Sequence, residues 1–416
     1  MHNNPQGTKQ VLQIENFLDT LNSVKPRKKE KKERYRMTEY LPCDVLLEIL
    51  HRLPVKSLIQ FRCISKSWNS LITSPAFINS NLTRSNSNSH KLIVKYSDVN
   101  MVYELIHEED NDNNDLSSEQ IQELELLNSF GRNFILVGYV NGLFCLESGR
   151  YIVWNPCIRK FIVLPNPSVT ASSFACYLAF GFDPSTNDYK LVRIVFQYKN
   201  LSNKKRAKKP LVEVYSVNEG SWRITSGRDS YPPGVDISDC SMSTAVSLNG
   251  AVFFAANRCD AWSSIVLSFD LGDEVFRVIS LPNGNFKFEH GIHILVFKGL
   301  LSLICHEYMS ERCSVFVMKE YGVVDSWTKL FTIDLNRQFC RVLGFRKNGH
   351  LLVQNEVLLG WELCSYDPES QQVKKLGFCR SSCYSFADNY VENLFLLDKS
   401  NDAVSKWNVS KKRECR

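Results

Sequence analysis

The sequence lacks the patterns that would place the protein in a membrane or outside the cell. No stretch of the 416 residues approaches the run of roughly 18 apolar residues that a membrane-spanning helix needs. The first part of the chain also lacks the charged and then apolar pattern of a secretory signal. We therefore expect a protein of the cytoplasm, the nucleus or both, with no membrane partner.

Motifs for catalysis and metal binding are missing as well. The chain contains no G-x-S-x-G turn, no glycine loop for phosphate and no H-E-x-x-H helix. Its 14 cysteines form no C-x-x-C pair, and the sets nearest to a metal motif lack a second pair at zinc spacing. We therefore expect reduced thiols in the core, no metal, no cofactor and no catalytic residue. The nearest sets are His290 with His293, Cys305 with His306, and Cys379 with Cys383.

Basic residues are too localised to predict a nucleic-acid surface. The excess behind the net charge of +6 lies in PRKKEKKERYR, residues 26–36, and KKRAKK, residues 204–209, while the rest of the chain is net negative. A nucleic-acid surface would spread basic side chains over a folded face with aromatic residues among them. We interpret the two runs as solvated linker and loop, with a nuclear-import signal as the alternative, and expect no nucleic-acid partner.

Apolar residues at helical spacing begin after the first 40 residues, which are too polar to fold alone. The stretch LPCDVLLEILHRLPVKSLIQFRCISKSWNSLI, residues 41–72, predicts three short helices, the first of them ended by Pro54. Helices this short cannot bury apolar residues on two sides among themselves. Part of their surface therefore meets either another molecule or the remainder of this chain, and periodicity leaves both open.

A strand repeat follows from about residue 90. Five segments place a large apolar residue seven positions after an aromatic residue, across turn-forming residues, and a sixth copy is two residues longer. In an antiparallel hairpin with an even-length turn, residues i and i+7 lie directly opposite each other. The pairs are Tyr96 with Tyr103, Trp154 with Phe161, Tyr215 with Trp222, Phe269 with Phe276 and Tyr366 with Val373, and the longer copy is Met318 with Trp327.

The repeat has a period near 50 residues, which predicts a kelch-type β-propeller of about six blades rather than the alternative, a β-sandwich. Tight hairpin turns are predicted at Asn141-Gly142, Asn249-Gly250 and Asn348-Gly349. The segment NYVENLFLLD, from Asn389, is the candidate for the strand that closes the ring. The predicted fold class is therefore α+β multidomain, with a small three-helix N-terminal domain followed by an all-β propeller.

Residues 41–72 closely resemble an F-box, particularly that of the large plant group with an F-box-associated domain. The matching motifs are LPCDVLLEIL, RLPVKSL and FRCISKSW, and VWNP, GFDP, DYKLVRI and YVENL resemble the associated domain in the expected order. The resemblance implies a leader over 1–40, an F-box over 41–84, a kelch-like F-box-associated interaction domain over 85–400 and a tail over 401–416.

The resemblance implies a non-catalytic substrate-recognition subunit of an SCF-type (Skp–cullin–F-box) ubiquitin ligase. Its F-box would bind a Skp-family adaptor, and through it a cullin, while propeller loops bind a protein target for ubiquitination and degradation. Ile64 and Trp68 would hold the helices together. The adaptor-binding residues carried over from the family are Leu41, Pro42, Ile49, Leu50, Leu53, Pro54 and Leu58.

Two other functions stay open at this point: an F-box scaffold that does not lead to degradation, and a metal-dependent propeller oxidase, for which the histidines are poorly spaced. For target binding we select the turn-rich segment GRDSYPPGVDISD, residues 227–239, with Arg228 and Tyr231 as its binding residues. Its two prolines limit the entropy lost on binding. The identity of the target is not readable, because recognition depends on how loop side chains are arranged in space.

Overall fold

Two units, one helical and one built of strands, divide the chain. The computed structural model describes residues 42–88, 91–97, 101–107, 121–124, 134–169, 174–200, 205–206, 209–237, 245–258, 263–282, 292–306, 312–334, 341–358 and 360–396. Among them, the helical unit contains residues 42–88, Cys157–Lys160 and 391–396, and the propeller unit contains the others.

Within residues 42–88 the structure describes four helices: α1 Cys43–His51, α2 Val55–Phe61, α3 Lys66–Ile72 and α4 Pro75–Asn88. The first three confirm the helices predicted from spacing. Pro42 and Pro54 stand at the N-caps of α1 and α2, and Ser65 caps α3 by accepting a hydrogen bond from the Trp68 N–H at 3.2 Å. Among the described helices, none combines the length and apolar character needed to cross a membrane.

Helix α4 was not predicted, because its sequence is rich in asparagine and serine and has few apolar residues. Two local signals were nevertheless present. Ser74 Oγ accepts a hydrogen bond from the Phe77 N–H at 3.3 Å, and Pro75 occupies the first helical position, where it needs no hydrogen bond. Phe77 and Ile78 are buried, so tertiary packing rather than a long apolar stripe stabilises this helix. It runs through residue 84, where we predicted the end of the F-box.

The described strands lie between residues 91 and 389. Short 3-10 helices lie at Ser226–Ser230 and Val324–Ser326. In chain order the strands are β1 Lys91–Ser97, β2 Met101–His107, β3 Ile121–Glu123, β4 Ile135–Val140, β5 Leu143–Glu147, β6 Tyr151–Asn155, β7 Lys160–Val163, β8 Phe174–Asp183, β9 Asp188–Asn200, β10 Lys205–Arg206, β11 Leu211–Ser216, β12 Ser221–Ile224, β13 Val235–Ile237, β14 Val246–Leu248, β15 Ala251–Arg258, β16 Ser263–Asp270, β17 Phe276–Ser280, β18 Ile292–Phe297, β19 Leu300–His306, β20 Arg312–Met318, β21 Trp327–Asp334, β22 Arg341–Phe345, β23 Leu351–Val357, β24 Gly360–Tyr366, β25 Val373–Arg380 and β26 Tyr384–Asn389.

These strands form the six blades of a propeller, as the repeat predicted. Five blades are continuous in sequence, β4–β7, β8–β12, β13–β17, β18–β21 and β22–β25, and the sixth combines β26 with β1, β2 and β3. The inner strands contact one another around the axis in the order β4, β8, β14, β18, β22 and β26. A hydrogen bond joins the last inner strand, β26, to the first, β4: the Tyr139 hydroxyl on β4 donates to the Asn389 carbonyl oxygen on β26 at 3.0 Å.

The closing strand is not the one that the sequence suggested. Strand β26 pairs with β1, with Asn389 opposite Leu92, so the ring is closed before the VENLFL segment begins. That segment belongs to the helical unit instead. The prediction favoured VENLFL because it is more apolar than YSFADN, the sequence of β26. Apolar content alone does not show which surface a segment covers.

Hairpin register confirms most of the predicted cross-strand pairs. Residues directly opposite each other are Tyr215 and Trp222, Phe269 and Phe276, Met318 and Trp327, and Tyr366 and Val373. The pair Tyr96 with Tyr103 is wrong, because Tyr96 lies opposite Val102 and Tyr103 lies opposite Lys95. That hairpin turns between Ser97 and Met101 and so has an odd-length loop, which shifts the register by one residue.

Two of the three predicted tight turns form, and in both the backbone takes a left-handed conformation. Asn141 and Gly142 have φ of 51° and 80°, and Asn249 and Gly250 have φ of 49° and 80°. Two successive residues with positive φ make the hairpin turn whose twist matches that of the flanking strands, and asparagine followed by glycine tolerates it best. The third prediction was wrong: at Asn348-Gly349 only Gly349 has a positive φ, of 97°, and Phe345 lies opposite Leu351, so five residues connect β22 to β23.

Lys95 is an unusual buried cation in the closing blade. The residue is 6% exposed, and no acidic side chain pairs with it in the part of the chain that the structure describes. Its Nζ lies 5.8 Å from the centroid of the Tyr103 ring. Desolvation by burial lowers the pKa of Lys95 to about 8. A buried ammonium without a carboxylate destabilises the folded state whenever it is protonated.

We expect Lys95→Met to raise the free energy of unfolding by roughly 3 kcal/mol at pH 7. The pKa is lower in the folded state, so the penalty is fully present below about pH 8 and disappears as the pH rises towards the unfolded value. Urea unfolding of both proteins at pH 7 and pH 10 measures this. Lys374→Met, at an exposed position of β25, is the control and should change little. If Lys95→Met raises the free energy of unfolding equally at both pH values, the buried charge of Lys95 is not the cause.

Candidate interaction surfaces

Helix α1 divides its apolar side chains between the interior and the surface. Leu50 is buried, whereas Val45 and Ile49, one helical turn apart, are 43% and 44% exposed. Ile64, in the turn between α2 and α3, is 63% exposed. Exposed large apolar side chains on a small unit are typical of a surface that binds another protein.

The predicted adaptor-binding residues fall into three classes. Pro42, Ile49 and Pro54 are exposed, and Leu53 is half-buried. Leu50 and Leu58 are buried inside the helical unit, so they support the surface rather than form it. Leu41 lies outside the described residues. Val45 was not predicted as a binding residue, although its four-residue spacing to Ile49 was an available signal.

The residues predicted to hold the helices together behave differently from each other. Trp68 packs edge-to-face on Phe61, with ring centroids 5.7 Å apart, and so joins α3 to α2. Ile64 does not have this role, because most of its surface is exposed. The side chain of Ile64 therefore belongs with Val45 and Ile49 as exposed apolar surface.

Helix α1 is held on α4 by polar contacts. The Glu48 carboxylate pairs with the guanidinium groups of Arg84 and Arg52, the latter at 2.8 Å. The hydrogen bonds from Arg84 are the main reason why the pKa of Glu48 falls to about 2. His51 stacks on Phe77 at 4.9 Å, and burial lowers its pKa, so it is neutral at pH 7. These contacts fix the direction in which α1 presents Val45 and Ile49.

The predicted target-binding segment, residues 227–239, joins β12 to β13 and is described up to Ile237. Arg228 is exposed on the 3-10 helix Ser226–Ser230. Tyr231 is only 4% exposed: its ring lies 5.4 Å from that of Phe196 and 5.1 Å from that of Phe276. Its hydroxyl donates to the Val235 carbonyl oxygen at 3.1 Å. Tyr231 is therefore a core residue that holds the segment, and Arg228 is the residue that a partner can reach.

Glu274, in the turn between β16 and β17, holds the start of this segment. Its carboxylate accepts hydrogen bonds from the Arg223 guanidinium and the Thr225 hydroxyl. Burial raises the pKa of Glu274, but these bonds outweigh it and leave the pKa below its usual value. Gly227 packs so closely that a Cβ there would lie 2.6 Å from the Glu274 carbonyl oxygen. The exposed Arg228 is thus presented on a fixed backbone.

A cavity of about 120 Å³ lies on the propeller axis, among inner strands of five blades. His293, Arg341 and Asp388 are among its lining residues, and burial raises the pKa of Asp388 to about 6. Across the described ranges, no three His, Cys, Asp or Glu side chains group closely enough to hold a metal ion.

The cysteines agree only in part with the expectation of buried thiols. Within the part of the chain that the structure describes, the cysteines are thiols and form no disulfide. Cys145, Cys305, Cys313 and Cys364 are buried, whereas Cys63, Cys176, Cys379 and Cys383 are exposed. Sequence neighbours did not separate these two groups, because alternate residues of a strand face opposite sides and because Cys63 and Cys383 lie outside the strands.

Comparison with known protein families gives two matches in the order of the two folded regions. Residues 39–80 match the F-box domain, and residues 89–397 match the F-box associated beta propeller domain. An F-box/kelch-repeat protein of Arabidopsis thaliana is 30% identical over 322 residues, which cover 73% of this chain and 82% of the relative. The F-box protein CPR1 of the same plant is 29% identical over 389 residues, covering 86% and 89%.

Solved structures give a much weaker likeness. An oligogalacturonate lyase in complex with manganese aligns with a TM-score of 0.40 and 10% identity, covering 68% of this chain and 73% of the lyase chain. At this level the similarity supports no argument about function.

Proposed function

We propose that this chain, which belongs to the plant F-box proteins with an associated β-propeller domain, is the substrate-recognition subunit of an SCF-type ubiquitin ligase. Its helical unit binds a Skp-family adaptor and through it a cullin, and its propeller binds a protein target for ubiquitination and proteasomal degradation. The observation that carries the proposal is the combination, in one chain, of an F-box with exposed apolar side chains and a closed six-bladed propeller.

The adaptor interface is proposed to centre on the exposed side chains of the helical unit. Val45 and Ile49 form a stripe along α1, and Pro42 and Pro54 stand exposed at the starts of α1 and α2. Ile64, in the turn after α2, is a further exposed apolar side chain of the helical unit. The desolvation of such side chains by a partner supplies most of the binding free energy in protein interfaces.

Target binding is proposed to belong to the propeller loops. Blades present their connecting loops at two rims, and loops accept changes in sequence without disturbing the strands. The 3-10 helix at Ser226–Ser230 offers Arg228 on a backbone fixed by Glu274 and Tyr231. Arginine is a common anchor in protein interfaces, and an ordered backbone limits the entropy lost when the loop binds.

Reconstitution tests the proposal directly. The full chain is mixed with a purified Skp-family adaptor and cullin, and a single complex is expected in size-exclusion chromatography. In cells treated with a proteasome inhibitor, affinity capture should recover adaptor and target together. The half-life of that target should lengthen when the protein is removed. A captured target with an unchanged half-life would favour the non-degradative scaffold instead.

We expect Arg228→Glu to weaken capture of the target about tenfold or more and to leave adaptor binding unchanged. The change reverses the charge at an exposed position, so it should not alter the stability of the propeller. Quantitative pull-down of target and adaptor from the same lysate measures both. Arg150→Glu, in the turn after β5, is the matched control. Equal target capture by both variants would exclude Arg228 from the binding surface.

A further inference from the structure

The helical unit includes six residues from the far end of the described chain. Asn393, Leu394 and Leu396 are fully buried, and Val391 is nearly so. These residues belong to the same compact unit as the four helices. We call Val391–Leu396 the carboxyl-terminal strap. Complete burial of a leucine pair and an asparagine indicates that the strap is a structural part of the unit, and not a chain end lying on its surface.

One end of the strap contacts the start of α2. The backbone N–H of Val55, the first residue of this helix, donates to Glu392 Oε2 at 3.2 Å. The first N–H groups of a helix need acceptors from outside the helix, and a side chain usually provides one from the N-cap position. Pro54 occupies that position and has no side-chain acceptor. Glu392 provides the acceptor instead, across a separation of 337 positions in sequence.

The rest of the strap is held by the turn Cys157–Lys160. The Cys157 thiol donates to the Asn393 carbonyl oxygen at 2.8 Å, and its sulfur accepts from the Asn393 N–H at 3.3 Å. Lys160 Nζ donates to the Leu396 carbonyl oxygen at 3.4 Å. Within the strap, Asn393 Oδ1 accepts from the Phe395 N–H at 2.8 Å. The strap therefore has little freedom, and the Glu392 carboxylate is held at a defined place.

We propose that the carboxyl-terminal strap is part of the adaptor-binding unit, and that Glu392 and Asn393 are positioning residues for α2. The exposed Pro54 is the N-cap of α2, and the exposed Ile64 lies three residues after its end, so a shift of this helix changes the surface offered to the adaptor. The proposal rests on the adaptor-binding function proposed above. It adds that residues 42–88 alone do not form the complete unit.

Point variants of the full chain separate positioning from simple packing. Glu392→Ala removes the acceptor for the Val55 N–H, whereas Glu392→Gln keeps a carbonyl oxygen at the same place. We expect Glu392→Ala to speed exchange of the Val55 amide hydrogen about tenfold and to weaken adaptor binding about threefold to tenfold. Glu392→Gln should keep most of the protection of the Val55 amide hydrogen and most of the affinity for the adaptor. Asn393→Ala should resemble Glu392→Ala, and Glu219→Ala, in the exposed turn between β11 and β12, is the control.

Two truncations test the strap without changing a side chain. A chain that ends at Tyr390 keeps β26 and therefore all six blades, but lacks the strap. We expect it to lose adaptor binding and to keep the propeller's unfolding transition. A chain that ends at Leu396 keeps the strap and should bind adaptor as the full chain does.

The outcomes distinguish this inference from the function on which it rests. If the unaltered chain does not bind a Skp-family adaptor, the adaptor assignment fails, while hydrogen exchange at Val55 still tests the strap. If it binds and Glu392→Ala changes neither the exchange nor the affinity, the inference is overturned. If the alanine variant weakens binding and Glu392→Gln does not recover it, the strap only fills space and the positioning role is wrong.

Discussion

Val45→Asp combined with Ile49→Asp is expected to lower the affinity for a Skp-family adaptor about a thousandfold or more. Both side chains are exposed on one stripe of α1, so their replacement removes two apolar anchors from the proposed interface and buries two carboxylates in the complex. Each anchor contributes about 2 kcal/mol to the binding free energy. The loss of both, about 4 kcal/mol, lowers the affinity about a thousandfold. Titration calorimetry with the purified adaptor measures it.

Exposure of the two positions makes the test specific. Because neither side chain is in the core, the thermal unfolding of the double variant should match that of the unaltered chain. Ile224→Asp on β12, an exposed apolar position of the propeller, is the matched control and should bind adaptor normally. A folded double variant that still binds adaptor with its original affinity would remove α1 from the interface.

Arg193→Met is expected to reduce the free energy of unfolding by about 3 to 5 kcal/mol. Arg193 on β9 lies directly opposite Glu213 on β11, and their side chains form an ion pair with 3% and 0% exposure. Methionine fills a similar volume but leaves the Glu213 carboxylate buried without its partner. The desolvated charge, and not a loss of packing, therefore dominates the effect. Urea unfolding at pH 7 provides the measurement.

The double variant Arg193→Met with Glu213→Leu identifies the cause. With both charges replaced, no carboxylate remains buried, so most of the lost stability should return. Arg312→Met is a surface control. Arg312 Nε lies 3.9 Å from Asp334 Oδ2, and both side chains are exposed. The change in the free energy of unfolding should therefore stay below about 1 kcal/mol. If the double variant is less stable than Arg193→Met alone, packing rather than charge dominates at this site.

Local patterns in the sequence were sufficient for the first three helices and the repeated blades, but not for α4 or the closing strand. The spacing of apolar residues in α1 and the seven-residue spacing in the hairpins, such as Tyr215 with Trp222, predicted the helices and the blades. These features depend on the periods of the helix and the strand and on turn length, which neighbouring residues set. The pattern failed for Tyr96 and Tyr103, where one extra loop residue changed the register.

Tertiary packing settled which predicted residues a partner can reach. Leu50 and Ile49 are adjacent in sequence and equally apolar, yet Leu50 is buried and Ile49 is exposed, because α1 is held against α4 by Glu48 and Arg84. Tyr231 looked like a loop anchor but lies in the core. Periodicity shows which side chains share a face of a helix. Whether that face is covered depends on segments that are distant in the sequence, just as the Val55 N–H finds its acceptor in Glu392, 337 positions away.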